Sequence, residues 1–96
     1  MRRGEIWEIK TSLATRRVLV VQSDAVTELH PGVLVVPLHQ QGEVRQTLVT
    51  VPVAGYVANC CDVGRVMKAR FRAQVATASP EEIEQVEIGL RAVMEL

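Results

Sequence analysis

Aromatic residues are scarce: Trp7, Tyr56 and Phe71 are the only three in 96 residues. That argues against a surface that holds single-stranded bases mainly by stacking. No apolar run approaches the roughly 20 residues of a membrane-spanning helix. No apolar segment follows the basic N-terminus as it would in a secretory signal. A cytoplasmic protein without a membrane partner is expected, with its thiols kept reduced. Only two cysteines occur, Cys60 and Cys61. They are adjacent, so a bond between them would close a strained ring, and both are expected as ordinary buried thiols. Together with His30 and His39 they lack the spacing of a zinc centre. No metal and no cofactor is expected.

Net charge is also missing, but the zero hides an asymmetry. Residues 1–78 carry ten Lys/Arg against six Asp/Glu, and residues 79–96 one Arg against five Glu. The first part suits a polyanion and the tail repels one. Binding to nucleic acid should therefore be modest and salt-sensitive.

What is present is valine. Apolar residues make up 48% of the chain, which excludes disorder, and β-branched residues favour strands. The length predicts one domain, 1–96, around a single modest core. Strands are predicted over residues 5–9, 18–21 and 33–38. Residues 18–21 form a continuous apolar run, as in a strand buried on both faces. Residues 47–53 alternate Leu48, Thr50 and Pro52 against Val49, Val51 and Val53, giving one wet and one dry face. Residues 55–62 read as a strand or strand end. Residues 63–67 continue it past a possible bulge at Gly64, and one more short strand is predicted over 70–75. Ser23-Asp24 can cap a brief helical turn, and Trp7, between Ile6 and Ile9, reads as core. Ser79-Pro80-Glu81-Glu82 reads as a capping box with proline in the first turn. Ile83, Val86, Leu90 and Val93 then form one apolar stripe at helical spacing. The fold class is α+β: a small barrel of five to seven short strands with a C-terminal helix docked on it.

Cations cluster at two places. Arg2, Arg3, Arg16 and Arg17 precede the first two strands, where a phosphate could sit at the mouth of the β core. Arg65, Lys68, Arg70 and Arg72 form a basic run. At strand spacing the last three share one face, suited either to an RNA backbone or to a solvated edge that blocks sheet-to-sheet pairing.

The order of segments resembles the MazF/PemK family of toxins from toxin–antitoxin pairs. Residues 1–7, M-R-R-G-E-I-W, and 17–24, R-V-L-V-V-Q-S-D, are similar to its R-R-G-E/D-I-W and R-R-P-V-L-V-V-x-S/N-D segments. Val35-Val36-Pro37-Leu38 resembles its V-V-P-L-T, and Cys61-Asp62 with Arg65 its C-D-Q-x-R-T. Residues 86–96 are similar to its closing helix. The resemblance covers almost the whole chain. It implies an SH3-like β-barrel of short antiparallel strands, a homodimer, and a cognate antitoxin lying across the RNA groove. It also implies an enzyme: a metal-independent, sequence-specific endoribonuclease acting on single-stranded RNA. The 2′-hydroxyl attacks the adjacent phosphorus, leaving a 2′,3′-cyclic phosphate and a 5′-hydroxyl. That chemistry needs a base, an acid and a cation or donor cluster at the phosphorane.

Three residues carry the implied catalysis. Arg17 matches the family's arginine at the start of the second strand, where a guanidinium can clasp two phosphate oxygens. Asp62 matches an aspartate proposed as general base, or as a structural group bridging loop amides. His39 stands where the family carries a threonine. An imidazole suits proton transfer near neutrality; drift at a strand end is the alternative. Arg16, Arg65, Lys68 and Arg70 are the candidate RNA-binding residues.

The chain departs from the pattern elsewhere. Cys60 replaces an arginine used as acid in the PemK branch. Val63, Val66 and Lys68 replace Gln, Thr and Asp, and Val18 replaces a proline. The connection over residues 10–15 is short. A catalytically degenerate protein that only binds RNA or antitoxin is the competing expectation. A gyrase poison on the same barrel is disfavoured, because those toxins rely on a tryptophan near the end of the last helix and this chain ends A-V-M-E-L.

Overall fold

A computed structural model describes residues 1–95. Strand β1 (Glu5–Lys10) turns into β2 (Thr15–Val20). Thr11 organises the turn by accepting the amides of Leu13 and Ala14 on its hydroxyl. That places Lys10 opposite Thr15 and starts β2 three residues earlier than its apolar run suggests. A short helix, α1 (Asp24–Leu29), follows, with the Ser23 hydroxyl accepting the Val26 amide. Then come β3 (Gly32–His39), β4 (Thr50–Val53), β5 (Tyr56–Asn59), β6 (Gly64–Met67), β7 (Phe71–Thr77) and α2 (Pro80–Met94).

All seven strands form one antiparallel sheet, six of them in the order β4-β5-β3-β2-β1-β7 and the seventh, β6, branching from β3. The eight-residue β3 is shared. Its end pairs with β5 through Leu38 and His39, and its start pairs with β6 from Gly32 to Val35. The result is the expected α+β arrangement of short antiparallel strands with a C-terminal helix. The strand path itself is open, running from β4 to β7.

Alternation along the strands sorts the apolar side chains onto two faces. Ile6, Leu19, Val36 and Leu38 pack with Val51, Val53, Ala58, Cys60 and Val86 of α2. Ile9, Val18, Val20, Val33 and Val35 pack on the other face with Trp7, Val66 and Phe71. Trp7 meets Phe71 edge-on at 5.9 Å, a geometry that aromatic quadrupoles favour. The run 18–20 is therefore buried on both faces, as its composition predicts.

Helix α2 begins as its sequence dictates. Ser79 Oγ accepts the Glu82 amide, and the Glu82 carboxylate accepts the Ser79 amide. The second Glu82 oxygen accepts the Ala54 amide at 2.8 Å. Ala54 and Gly55 form the two-residue β4–β5 turn, both with positive φ. Turns of this hand match the strand twist, but they strain a residue that has a Cβ. Glu82 holds Ala54 in place.

Several expectations are corrected. The strand predicted over 47–53 begins only at Thr50. Thr47 donates its amide to Thr50 Oγ1, so side-chain bonding makes a turn instead. Leu48 is left 98% exposed. Residues 60–62 are not strand: Cys60–Asp62 is a single 3-10 turn, with Asn59 Oδ1 accepting the Cys61 amide. That turn sends β6 to a separate register on β3, with no bulge at Gly64. The irregularities fall between β1 and β7. Only Cys60 is a buried thiol, pushed up in pKa first by burial and then by its neighbour Cys61; Cys61 is exposed.

The basic run does not share a strand face either. Lys68–Arg70 is another 3-10 turn, and Lys68 Nζ donates to the Thr27 carbonyl. Arg72 donates to the carbonyls of Ala69 and Phe71. At the N-terminus, Arg3 pairs with Glu87 of α2 rather than standing free.

Candidate functional site

A cleft of about 340 Å³ opens where β1, β2, β3 and β5 come together. Its lining is mostly polar and includes Glu8, Arg16, Arg17, His39, Glu43 and Tyr56. The β-ladder sets the centre. Glu8 pairs in register with Arg17, and Arg17 with Leu38. His39 follows at the end of β3, paired with Val57 next to Tyr56.

Arg17 is the hub. Its Nη2 lies 3.2 Å from Glu8 Oε1, and its guanidinium carbon lies 5.3 Å from the centre of the Tyr56 ring. A guanidinium over a ring face at this distance gains cation–π attraction while leaving its N–H donors free. Both partners of the ion pair are partly exposed, 38% for Arg17 and 31% for Glu8. Such pairs contribute only about 0–1 kcal/mol. An incoming phosphate can therefore share the arginine at small cost.

His39 supplies the second feature. Among the described residues, its Nε2 is the buried side-chain nitrogen or oxygen that has no hydrogen-bond partner. Leaving such an atom unpaired costs about 1–3 kcal/mol, and this one belongs to a ring at the edge of a polar cleft.

The other sequence candidates are dispersed. Arg16 lines the cleft. Asp62 lies outside its lining, exposed on the 3-10 turn, where it accepts from Asn59 Nδ2 at 3.1 Å. Arg65 is also outside it: its Nη1 reaches Gln22 Oε1, the Gly32 carbonyl and His30 Nδ1. Lys68 is tied to Thr27, and Arg70 is exposed on its turn. Neither lines the cleft.

Sequence reasoning passed over Glu8, Glu43 and Tyr56. For Glu8 a signal existed. A hairpin closed over residues 11–14 must place residue 8 against residue 17, yet the turn length is evident only once Thr11 is seen bonding across it. No group of three or more His, Cys, Asp or Glu is placed to hold a metal among the described residues, and no helix there is long and apolar enough to cross a membrane.

Comparisons with known proteins agree on the architecture. The chain superimposes over its whole length on an endoribonuclease solved with its cognate antitoxin from a mycobacterial species, with a TM-score of 0.92, 15% identity and 96% of that chain covered. A MazE–MazF complex of Deinococcus radiodurans matches with a TM-score of 0.87 and 14% identity, covering 100% of this chain and 96% of that one. The Mycobacterium tuberculosis toxin MazF-mt6 matches with a TM-score of 0.84 and 17% identity, covering 96% and 97%. At such identities the likeness is one of fold. No curated protein matches the chain in sequence. The family model described as PemK-like, MazF-like toxin of type II toxin–antitoxin system matches residues 2–94. With nearly the whole chain matched, it belongs to the PemK-like, MazF-like family of toxins from type II toxin–antitoxin systems.

Proposed function

We propose that this toxin is a metal-independent endoribonuclease that cuts single-stranded RNA by 2′-hydroxyl attack in the Arg17–His39 cleft. The observation that carries the reading is the convergence on one polar cleft of Arg17, whose guanidinium lies over the Tyr56 ring, and His39, whose Nε2 has no hydrogen-bond partner. Arg17 clasps the non-bridging oxygens of the scissile phosphate and stabilises the extra charge of the phosphorane. His39 protonates the leaving 5′-oxygen, replacing the threonine of the family pattern. Arg16, at the rim, steers the backbone. Arg65, Lys68 and Arg70 lie outside the cleft, and of these the exposed Arg70 is the best placed to extend the RNA track. Asp62 takes the structural role, steadying the turn it shares with Asn59.

The same reading makes the protein a cytoplasmic homodimer neutralised by a cognate antitoxin. Relatives solved with antitoxins support the partner. The exposed Ile88 on α2 and Leu48 next to it support a protein-covered surface.

The test is incubation of the purified protein with a long, mixed-sequence single-stranded RNA in EDTA, with ends mapped by primer extension. Discrete cuts that vanish in Arg17→Ala support the proposal. Strict dependence on a divalent ion, or intact RNA from a folded protein, sinks it. The second outcome would favour the competing reading, a degenerate toxin that only binds RNA or antitoxin, motivated by the histidine at position 39.

A further inference from the structure

We infer that Glu8 is the general base of the cleft, taking the proton from the attacking 2′-hydroxyl. The inference rests on the ribonuclease reading above and extends it to a residue just beyond the quoted R-R-G-E/D-I-W segment. Two carboxylates line the cleft, Glu8 and Glu43. Glu43 is occupied, accepting the Gln40 amide at 2.5 Å. The hydrogen bond of Glu8 is instead to Arg17, the group that would hold the phosphate. A carboxylate 3.2 Å from the phosphate-binding guanidinium is within hydrogen-bond reach of a 2′-oxygen next to the held phosphate. In a near-attack geometry that oxygen lies roughly 3–3.5 Å from phosphorus.

The position is rigid, because Glu8 and Arg17 are register partners on paired strands. The charged and titratable groups that line the cleft with Glu8 are Arg16 and Arg17 from β2, His39 from β3, Glu43 from the following loop and Tyr56 from β5, and Lys10 follows two residues along β1. On the other side, β7 presents the uncharged Ala73 in register. Arg17 has five N–H donors, so one bond to Glu8 leaves others for phosphate oxygens.

The step balances. The 2′-oxygen gives its proton to the Glu8 carboxylate and forms a bond to phosphorus. The bond from phosphorus to the 5′-oxygen breaks, and that oxygen takes a proton from His39. The products are a 2′,3′-cyclic phosphate and a 5′-hydroxyl. Glu8 then releases its proton to solvent and His39 regains one, with no water consumed.

The alternative is that Glu8 only holds the Arg17 rotamer, and the two roles separate by measurement. Once a cut is mapped, an oligonucleotide around it serves as substrate, and its 2′-deoxy version at the attacking ribose serves as an uncleavable probe of binding. Single-turnover cleavage is followed against pH in EDTA for the parent, Glu8→Gln and Glu8→Asp, each shown folded by circular dichroism. Glu8→Gln is expected to cleave about 10²–10⁴-fold more slowly and to lose the acidic limb of the pH–rate profile. It should bind the deoxy probe at least as tightly, since Arg17 is released. Glu8→Asp should cleave more slowly than the parent but keep the limb. A Glu8→Gln enzyme that cleaves at the parental rate, or keeps the acidic limb, overturns the assignment while leaving the ribonuclease reading intact. An indifferent Glu8→Asp does the same should the glutamine variant misfold. A parent that leaves RNA intact overturns the ribonuclease reading, and this inference falls with it.

Discussion

Glu8 and Arg17 face each other across β1 and β2, carboxylate to guanidinium at 3.2 Å, with the guanidinium carbon 5.3 Å from the centre of the Tyr56 ring. The pair is built from neighbouring strands of a hairpin, so its geometry owes nothing to a mobile loop. A half-exposed ion pair adds little stability. Its consequence is positional: the guanidinium is held at the cleft with donors to spare.

Arg17→Lys keeps the charge but loses the planar fork. RNA cleavage should fall by about 10²–10³-fold, the usual cost of a lost transition-state donor. Binding of an uncleavable deoxy oligonucleotide should weaken far less. Equal activity of the lysine enzyme would show that only charge matters at this position.

His39 is tested by two replacements. His39→Ala should lower cleavage by about 10²–10⁴-fold, the usual contribution of acid–base catalysis. His39→Thr should retain part of the activity, because a hydroxyl can still donate to the phosphorane. If both cleave like the parent, the imidazole plays no part in the chemistry.

The Glu82 carboxyl is held below its ordinary pKa near 4.5, first by the Ser79 amide and then by the Ala54 amide. A carboxyl depressed in the folded state stabilises the fold above the unfolded pKa and loses that contribution as pH falls through the folded value. Thermal midpoints should therefore fall as pH drops below about 4.5, and Glu82→Gln should flatten that dependence. Ser79→Ala, which deletes the hydroxyl half of the box, should cost about 1 kcal/mol in chemical denaturation.

Gly89 of α2 sits on Cys60: a Cβ at residue 89 would lie 2.8 Å from the buried Sγ. Alanine gains about 1 kcal/mol of helix propensity over glycine, but overpacking a filled core costs about 1–3 kcal/mol. Gly89→Ala should therefore destabilise the parent in urea unfolding. In a Cys60→Ala background the same change should be neutral or stabilising. Additive effects in the double-mutant cycle would mean that the two sites do not press on each other.

The two adjacent cysteines should behave as different thiols. Cys61 is exposed, whereas Cys60 is fully buried with its thiol pushed up by burial. A thiol-colorimetric reagent should titrate one group quickly in the native protein and the second only on unfolding. Cys61→Ala should remove the fast phase. Two fast thiols would contradict the packing of the turn against α2.

Much of the fold was legible along the chain. Residues 18–20 are apolar without interruption because they are buried on both faces, and the Ser79–Glu82 capping box starts α2 where its letters say it should. The strand predicted over 47–53 failed where side-chain hydroxyls outcompeted the ladder. The basic run failed because a 3-10 turn breaks the two-residue period on which its shared face depended.

The candidate site divides in the same way. Arg17 and His39 stand out in the sequence because each occupies a position in a recognisable order of segments. Local pattern, caps and turn residues act between near neighbours, so strands, helix and family membership can be read from residue order. What joins Glu8, Arg17, His39 and Tyr56 is strand pairing across 48 positions of chain, from β1 to β5. Which side chains share a cleft depends on register, and register depends on turns whose bonds form only as the chain closes. The same physics left Asp62 out of the cleft lining: the Asn59-capped turn carries it away from the edge where Tyr56 stands.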